Sequence, residues 1–538
     1  MSSNVEVFTR KASGLVRDMS PFSAFIYNIL TMGLIFPWTY LWGPSAFPGG
    51  SIAKGVLLAT ALEIPIALAY VWLASAMPRS GGDYVFQSRI FGGGIGFAIV
   101  FSGFVVWILQ WVALSGWLMA VLGIAPMFLG LGASFGSKAL IAFGMSVQSP
   151  TGVVITSVLF SLLATVLLTR RFKNYVKLQY VLFYATLIAF GIMLIQFLRT
   201  SPEQFAAGIN KFAATIDGTQ GFYTKTISDV AATGWNVNPA FSWAATMGIA
   251  PIAWTSLQWA TYSCEQGGEI KGASNFKNQM FIIVGSLIVT GLLLALLGWA
   301  EQRAVGSQFL TASAAGYYYK VGPGLGSVNP FPNILAIGLS ASPVVVVLIS
   351  LGYIANAFQI FCNCYIGMTR NIVAMSLDRV LPEWASRVHP KLHSPVNAHV
   401  AYFLASILWI LAYNYVPNWA TYTLGVTFAS GYVFVFSSLA AALLPYRAKQ
   451  IYEASPGAKY KFLGIPLVTI MGLLGFICGG FMVVSFLIFP QFGLTGTVPY
   501  LLVGGIVVIT LLIYAAARMR QSTKGIDIGN AFREIPPE

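Results

Sequence analysis

Residues 22–43 form an apolar stretch that is long enough to cross a lipid bilayer, yet four of its residues break or weaken a helix. A break at membrane depth exposes backbone groups that no water satisfies, so it must line a cavity or be buried in protein. Carbonyls at the end of the first half would attract a cation, and amides at the start of the second half an anion, which together suit a zwitterion. The alternative is a simple kink that permits close helix packing. The four residues are Asn28, Thr31, Gly33 and Pro37.

A second apolar stretch, residues 241–264, contains Gly248 and Pro251, and we predict that this helix is interrupted as well. The polar side chains after the proline offer hydrogen bonds where backbone bonds are lost, and the tryptophans could close over a ligand. The tryptophans could equally be packing residues. The side chains are Trp254, Thr255, Ser256, Gln258 and Trp259.

The composition predicts that these stretches belong to an all-α integral membrane protein. Only 9% of the 538 residues are charged and 57% are hydrophobic, whereas a soluble domain carries about 25% charged residues. We count twelve apolar stretches near or above the roughly 20 residues that a span needs. They lie at about 19–43, 51–76, 95–122, 150–169, 179–199, 239–264, 278–300, 333–366, 398–416, 419–445, 463–489 and 497–517.

The two interrupted helices, spans 1 and 6, each open a predicted repeat of five spans. An odd number of spans gives the repeats opposite orientations, and paired discontinuous helices point to the binding site of a secondary transporter. The predicted segments are a cytoplasmic N-terminal segment (1–18), a core (19–445) with repeats at about 19–199 and 239–445, two peripheral helices (446–520), and a cytoplasmic tail (521–538) that we expect to be disordered.

The net charge of +14 agrees with this topology. With a cytoplasmic N-terminus, 23 of the 30 lysines and arginines fall inside and 7 outside. Such a bias predicts a multi-pass protein with both termini in the cytoplasm and in contact with the lipid bilayer. It argues against a nucleic-acid partner.

Neither a metal site nor an enzyme is predicted. The four cysteines lie in or beside spans, so they do not form a secreted disulfide framework. Three histidines follow the eighth span, but no cysteine or carboxylate pattern completes a zinc site. We find no convergent nucleophile or acid pair and predict no cofactor. These residues are Cys264, Cys362, Cys364, Cys478, His389, His393 and His399.

Three loop motifs resemble those of the amino acid–polyamine–organocation (APC) permease family. They occur in the family's order, each after the matching span. They are Pro78-Arg79-Ser80-Gly81-Gly82-Asp83-Tyr84 after span 2, Glu269-Ile270-Lys271 after span 6, and Leu377-Asp378-Arg379-Val380-Leu381-Pro382 with His393-Ser394-Pro395-Val396-Asn397-Ala398 after span 8.

The resemblance implies the LeuT-type fold, with two inverted five-helix repeats and a substrate site at the breaks of helices 1 and 6. It also implies transport of amino acids or related amines by alternating access. The family's Gly-Ser-Gly falls on Thr31, Met32 and Gly33, so only the last glycine is kept and Met32 would intrude into the site. The predicted substrate-binding residues are Asn28, Thr31, Met32, Gly33, Leu34, Trp254, Thr255, Ser256, Leu257 and Gln258.

Residues for gating or coupling are less clearly indicated. Glu63 lies in the middle of span 2, where a carboxyl group is costly, so it is either a proton site or hydrogen-bonded structurally to a neighbouring helix. Helix 5 lacks the lysine, and helix 8 the Ser/Thr pair, that relatives use for proton or sodium coupling. Proton coupling, sodium coupling and exchange therefore stay open. The candidates are Glu63, Trp107, Trp111, Trp259, Asn356 and Asn363.

The sequence thus predicts a secondary active amino-acid permease of the plasma membrane, with a neutral or modestly polar substrate. The alternatives are a transporter of polyamines or other organic cations, which Glu63 could favour, and a nutrient sensor that does not transport.

Overall fold

The computed structural model describes residues 14–35, 38–340, 342–419, 431–492 and 496–536. Nearly all of the regular structure is helical. Two strands of two residues each, Lys461–Phe462 and Ile465–Pro466, pair as a small antiparallel hairpin. The helices are α1 (Pro21–Met32), α2 (Trp38–Ala46), α3 (Ile52–Ala76), α4 (Gly82–Phe91), α5 (Gly93–Phe135), α6 (Lys138–Gln148), α7 (Pro150–Leu168), α8 (Phe172–Arg199), α9 (Pro202–Asp217), α10 (Phe222–Ala231), α11 (Trp243–Leu257), α12 (Phe276–Val305), α13 (Ser307–Tyr318), α14 (Pro332–Gly338), α15 (Pro343–Leu377), α16 (Val396–Tyr415), α17 (Tyr432–Arg447), α18 (Lys449–Glu453), α19 (Leu467–Ile488) and α20 (Thr497–Ser522).

Nine helices in the described residues are long and apolar enough to cross a membrane, and α17 is a shorter apolar helix. The prediction of an all-α membrane protein is therefore confirmed. Two further predicted spans correspond to shorter pieces, α1 with α2 and α11 with a following 3₁₀ segment. Residues 420–430, the first part of predicted span 10, lie outside the described residues. The inverted repeat stays a prediction.

Helix α1 begins where its sequence suggests, but it ends later than predicted. Ser20 caps its N-terminus and Pro21 is its first residue, and it ends at Gly33, whose φ of 79° suits a residue without a side chain. Asn28 and Thr31 therefore lie inside the helix. Their side chains find hydrogen-bond partners without disturbing the backbone. Pro37 lies outside the described residues.

The predicted interruption of the second stretch lies later than Gly248 and Pro251. Helix α11 runs through both residues, because one proline removes a single backbone bond while Gly248 gives the Phe47 ring the room in which it packs. The chain tightens only afterwards, into a 3₁₀ helix at Gln258–Glu265. So long a 3₁₀ run within a span marks a strained segment or a functional hinge.

Predicted span 8 (333–366) needs the same kind of correction. The structure separates a short α14 from α15, which extends to Leu377. At the other end of the chain, α19 packs against α3 and α17. In α20, by contrast, only 6% of the residues in its most apolar 18-residue segment are buried. Helix α20 is therefore peripheral and faces lipid.

The prediction of a disordered tail is also wrong for its described part. Residues Ile528–Arg533 form a 3₁₀ helix at the bundle end that holds both described chain ends, which we name the terminal face. The Phe532 ring packs directly on Gly93, where any side chain would clash with it. Arg79 Nε donates to the Pro536 carbonyl at 2.8 Å and Arg89 Nε to the Glu534 carbonyl at 3.2 Å. The tail thus covers the loop between α3 and α4.

We expect Phe532→Ala to detach this tail, because burial of the ring contributes about 3 kcal/mol. Hydrogen exchange of amides 528–536 in the purified protein should accelerate. The matched control, Phe462→Ala, removes a ring that is 59% exposed and should leave tail exchange unchanged. Unchanged exchange in Phe532→Ala would show that the backbone bonds alone hold the tail.

Candidate functional site

A small enclosed cavity lies between the end of α1, the 3₁₀ segment, α5 and α15. Its volume is about 20 Å³, enough for about one water. A neighbouring space of about 10 Å³ shares Ile360. The first cavity is lined by Thr31, Ile108, Trp111, Trp259, Tyr262, Ile360, Asn363 and Cys364, and the second by Ile35, Leu118, Leu122, Tyr353, Asn356, Ala357 and Ile360. The site is closed, so an organic ligand enters only if these walls separate.

Hydrogen bonds from α15 hold the end of α1 at the polar side of the cavity. Asn363 Nδ2 donates to Thr31 Oγ1 at 2.5 Å, and Thr31 Oγ1 donates to the Tyr27 carbonyl at 2.6 Å. Asn356 Nδ2 donates to the Leu30 carbonyl at 3.1 Å. The two asparagines thus satisfy groups in the last turn of α1, where a helix leaves carbonyls without internal partners.

Asn28 joins α1 to the 3₁₀ segment and to α12. Its Oδ1 accepts from the Ser263 amide at 2.9 Å, and its Nδ2 donates to Ser263 Oγ at 3.1 Å and to the Ile282 carbonyl at 3.2 Å. The side chain is fully buried. Asn28 therefore positions the 3₁₀ segment and does not face the cavity.

Aromatic rings form the apolar wall of the cavity. Trp259 stands nearly perpendicular to Trp111 and to Tyr262, with ring centroids 5.6 and 5.3 Å apart, and its Nε1 donates to the Thr255 carbonyl at 2.9 Å. Tyr262 also stacks on Tyr27 at 6.1 Å. Such ring pairs contribute about 0.5–1.5 kcal/mol each beyond burial, so they favour the closed arrangement.

Glu63 is hydrogen-bonded to a neighbouring helix. Trp254 Nε1 donates to Glu63 Oε2 at 2.5 Å, and both side chains are fully buried. Oε1 has no hydrogen-bond partner among the described residues. Glu63 therefore has the hydrogen-bond partner on a neighbouring helix that one of the two interpretations expected. Its other carboxyl oxygen remains able to carry a proton.

The structure brings together only some of the predicted site residues. Thr31, Trp111, Trp259 and Asn363 line the cavity and Asn356 its neighbour. The remaining predicted residues are buried and line neither cavity. Gly33 and Leu34 lie in the turn after α1, and the others lie in helices. These residues are Asn28, Met32, Gly33, Leu34, Glu63, Trp107, Trp254, Thr255, Ser256, Leu257 and Gln258. Met32 does not intrude.

Sequence reasoning missed four of the residues that line the first cavity, Ile108, Tyr262, Ile360 and Cys364. Helical spacing could have found some of them. Ile108 lies three residues before Trp111 and Ile360 three before Asn363, so each shares a helix face with a predicted residue.

Buried ion pairs close the terminal face. Arg89 binds both oxygens of Asp378 at 2.7 and 3.0 Å, and Arg370 binds both oxygens of Glu269 at 2.7 and 2.8 Å. Glu265 forms neither pair and instead accepts a hydrogen bond from Asn371 Nδ2 at 2.5 Å. Each pair joins one motif residue, Asp378 or Glu269, to an arginine at least 101 positions away in the chain.

Two comparisons with known proteins were informative. Over 83 residues the chain is 29% identical to an uncharacterised protein, protein 399, of Sulfolobus islandicus rod-shaped virus 1; the match covers 15% of this chain and 21% of that protein. Residues 22–512 match the model of the family described as amino acid permease. The chain therefore belongs to the amino acid permease family, within the APC superfamily, and is a multi-pass membrane protein.

Proposed function

We propose that the protein is a secondary active transporter that moves neutral amino acids across the plasma membrane by alternating access. The observation that carries the proposal is the closed cavity between the end of α1 and the 3₁₀ segment, walled by aromatic rings and one amide. Backbone dipoles at both sides of this cavity suit a small molecule with opposite charges at its two ends.

The substrate's ammonium group would bind near the carbonyl end of α1, beside Thr31 and Asn363. Its carboxylate would bind near the backbone that follows Gly33, where the absence of a side chain permits close approach. The side chain would lie against Trp111 and Trp259. None of the described residues that line the cavity is a carboxylate or a base, which favours a neutral side chain over a polyamine.

Transport requires the cavity to open alternately to the two sides. The 3₁₀ segment can supply one hinge, because its hydrogen bonds are weaker than those of an α-helix. The ion pairs on the terminal face would then act as the gate on that side. The charge bias of 23 against 7 favours a cytoplasmic position for the terminal face.

Cys364 offers a direct test of the site. We expect a small methanethiosulfonate reagent to modify Cys364 and block uptake into proteoliposomes in a variant with Cys264, Cys362 and Cys478 replaced by serine. A transported amino acid at ten times its dissociation constant should slow the modification about tenfold. The control variant Cys364→Ser should resist inhibition.

The same assay discriminates the alternatives. Protection by polyamines and not by amino acids would replace the proposed substrate class with organic cations. Binding of amino acids without any uptake would favour a sensor. Imposed proton and sodium gradients, and preloading with unlabelled amino acid, would identify a proton, a sodium ion or a counter-transported solute as the driving partner.

A further inference from the structure

A large cleft on the terminal face lies where α20 ends beside the loop that follows α15. Its volume is about 490 Å³. The floor is apolar and comes from the last turns of α20, and the rim comes from the loop and from residues after the helix. The lining residues are Arg379, Val380, Leu381, Pro382, Glu383, Trp384, Arg387, Ile513, Ala516, Ala517, Arg520, Gln521 and Lys524.

The charge of this cleft is strongly positive. Four basic side chains, Arg379, Arg387, Arg520 and Lys524, line it against one carboxylate, Glu383. Arg387, Arg520 and Lys524 are exposed, so their charges are available to a ligand. Guanidinium and ammonium groups from two separate parts of the chain thus line one cleft, and both kinds of group bind phosphate.

The cleft also lies at the membrane boundary. Helix α20 faces lipid along most of its length, and Met519, at its end, is 65% exposed. Trp384 on the rim is 46% exposed, in the position of an interfacial aromatic anchor. The apolar floor at Ile513 and Ala517 continues onto the lipid-facing surface of the helix.

We propose that this cleft binds the head group of an anionic phospholipid from the adjoining leaflet. The phosphate contacts Arg387, Arg520 and Lys524, the glycerol region packs beside Trp384, and an acyl chain follows α20. Basic pockets next to spans are typical head-group sites. The apolar floor distinguishes a lipid from a free phosphate ion, which would gain nothing from Ile513 or Ala517.

A bound head group would also connect two elements near the gate. Gln521 Nε2 donates to the Arg379 carbonyl at 3.3 Å, and the preceding residue, Asp378, forms the ion pair with Arg89. A phosphate held between α20 and this loop would therefore stabilise the closed arrangement of the terminal face.

The test measures stabilisation of the detergent-purified full-length protein by added phosphatidylglycerol, compared with phosphatidylcholine. We expect phosphatidylglycerol alone to raise the melting temperature. In the triple variant Arg387→Gln, Arg520→Gln, Lys524→Gln, its apparent affinity should fall roughly 100-fold, since each basic residue near an anionic surface contributes about 1 kcal/mol.

A matched control removes three other exposed basic residues with Arg447→Gln, Lys459→Gln and Lys461→Gln, and it should keep most of the wild-type affinity. Equal losses in both variants would overturn the proposal in favour of diffuse charge attraction. Stabilisation of the wild type by inorganic phosphate, as strong as that by the lipid, would overturn the assignment to a lipid. Neither outcome bears on transport, so the test is independent of the proposed substrate.

Discussion

Replacing Arg89 with methionine should lower the free energy of unfolding by about 3–5 kcal/mol, because Asp378 would stay buried without this counter-charge. The two side chains are 1% and 0% exposed. Arg89 also donates to the Ala531 carbonyl at 3.4 Å, so the tail should loosen in the same variant. Denaturant unfolding of the purified protein measures the loss, and hydrogen exchange of the tail reports the release.

The exposed pair Lys225–Asp229 is the natural control for this ion pair. Its N–O distance is the same 2.7 Å, but its side chains are 54% and 28% exposed, so Lys225→Met should cost less than about 1 kcal/mol. Adding Asp378→Asn to Arg89→Met should recover part of the loss, since it removes the buried charge. Equal effects of the two methionine variants would contradict the prediction.

Replacing Asn28 with leucine should cost about 2–5 kcal/mol and abolish uptake. Leucine has nearly the same size, but it leaves the Ser263 amide and the Ile282 carbonyl buried without this partner, and each such loss costs about 1–3 kcal/mol. The 3₁₀ segment would lose its attachment to α1 and α12. Thermal unfolding and proteoliposome uptake measure the two effects.

Asn414→Leu is a suitable control for Asn28. Asn414 Nδ2 donates to the Ile410 carbonyl of its own helix at 2.8 Å, and the side chain is partly exposed, so the substitution should change stability by less than about 1 kcal/mol. An Asn28→Leu variant with full uptake would show that the attachment is dispensable.

The spans could be predicted because hydropathy is a local property of the chain. Helices α7, α16 and α20 begin at or within two residues of their predicted starts. Docking of the tail could not be predicted, because it depends on a Phe532 ring that fits over Gly93, more than 400 positions away. A polar, proline-ended tail has no local signal that distinguishes a bound segment from a free one.

The two interrupted segments were predicted more closely than the contacts that hold them. Breaks in the sequence pointed to the correct two segments, but proline and glycine were mistaken for the site of interruption in the second. The decisive contacts join distant residues, such as Trp254 with Glu63 at a separation of 191 positions. One sequence gives the two residue types and not their pairing, so Glu63 could be recognised as unusual but not matched with its donor.

The two π-helical turns of α5, Phe101–Val106 and Leu118–Ile124, lie on either side of Ile108 and Trp111. Each such turn holds more residues than an α-turn and so resets the angular position of everything beyond it. Loss of one residue from the first turn would rotate Trp111 by about 100° away from the cavity. Chain length through this helix therefore determines which side chains line the cavity as much as side-chain identity does, and we expect a deletion there to reduce uptake more than most substitutions.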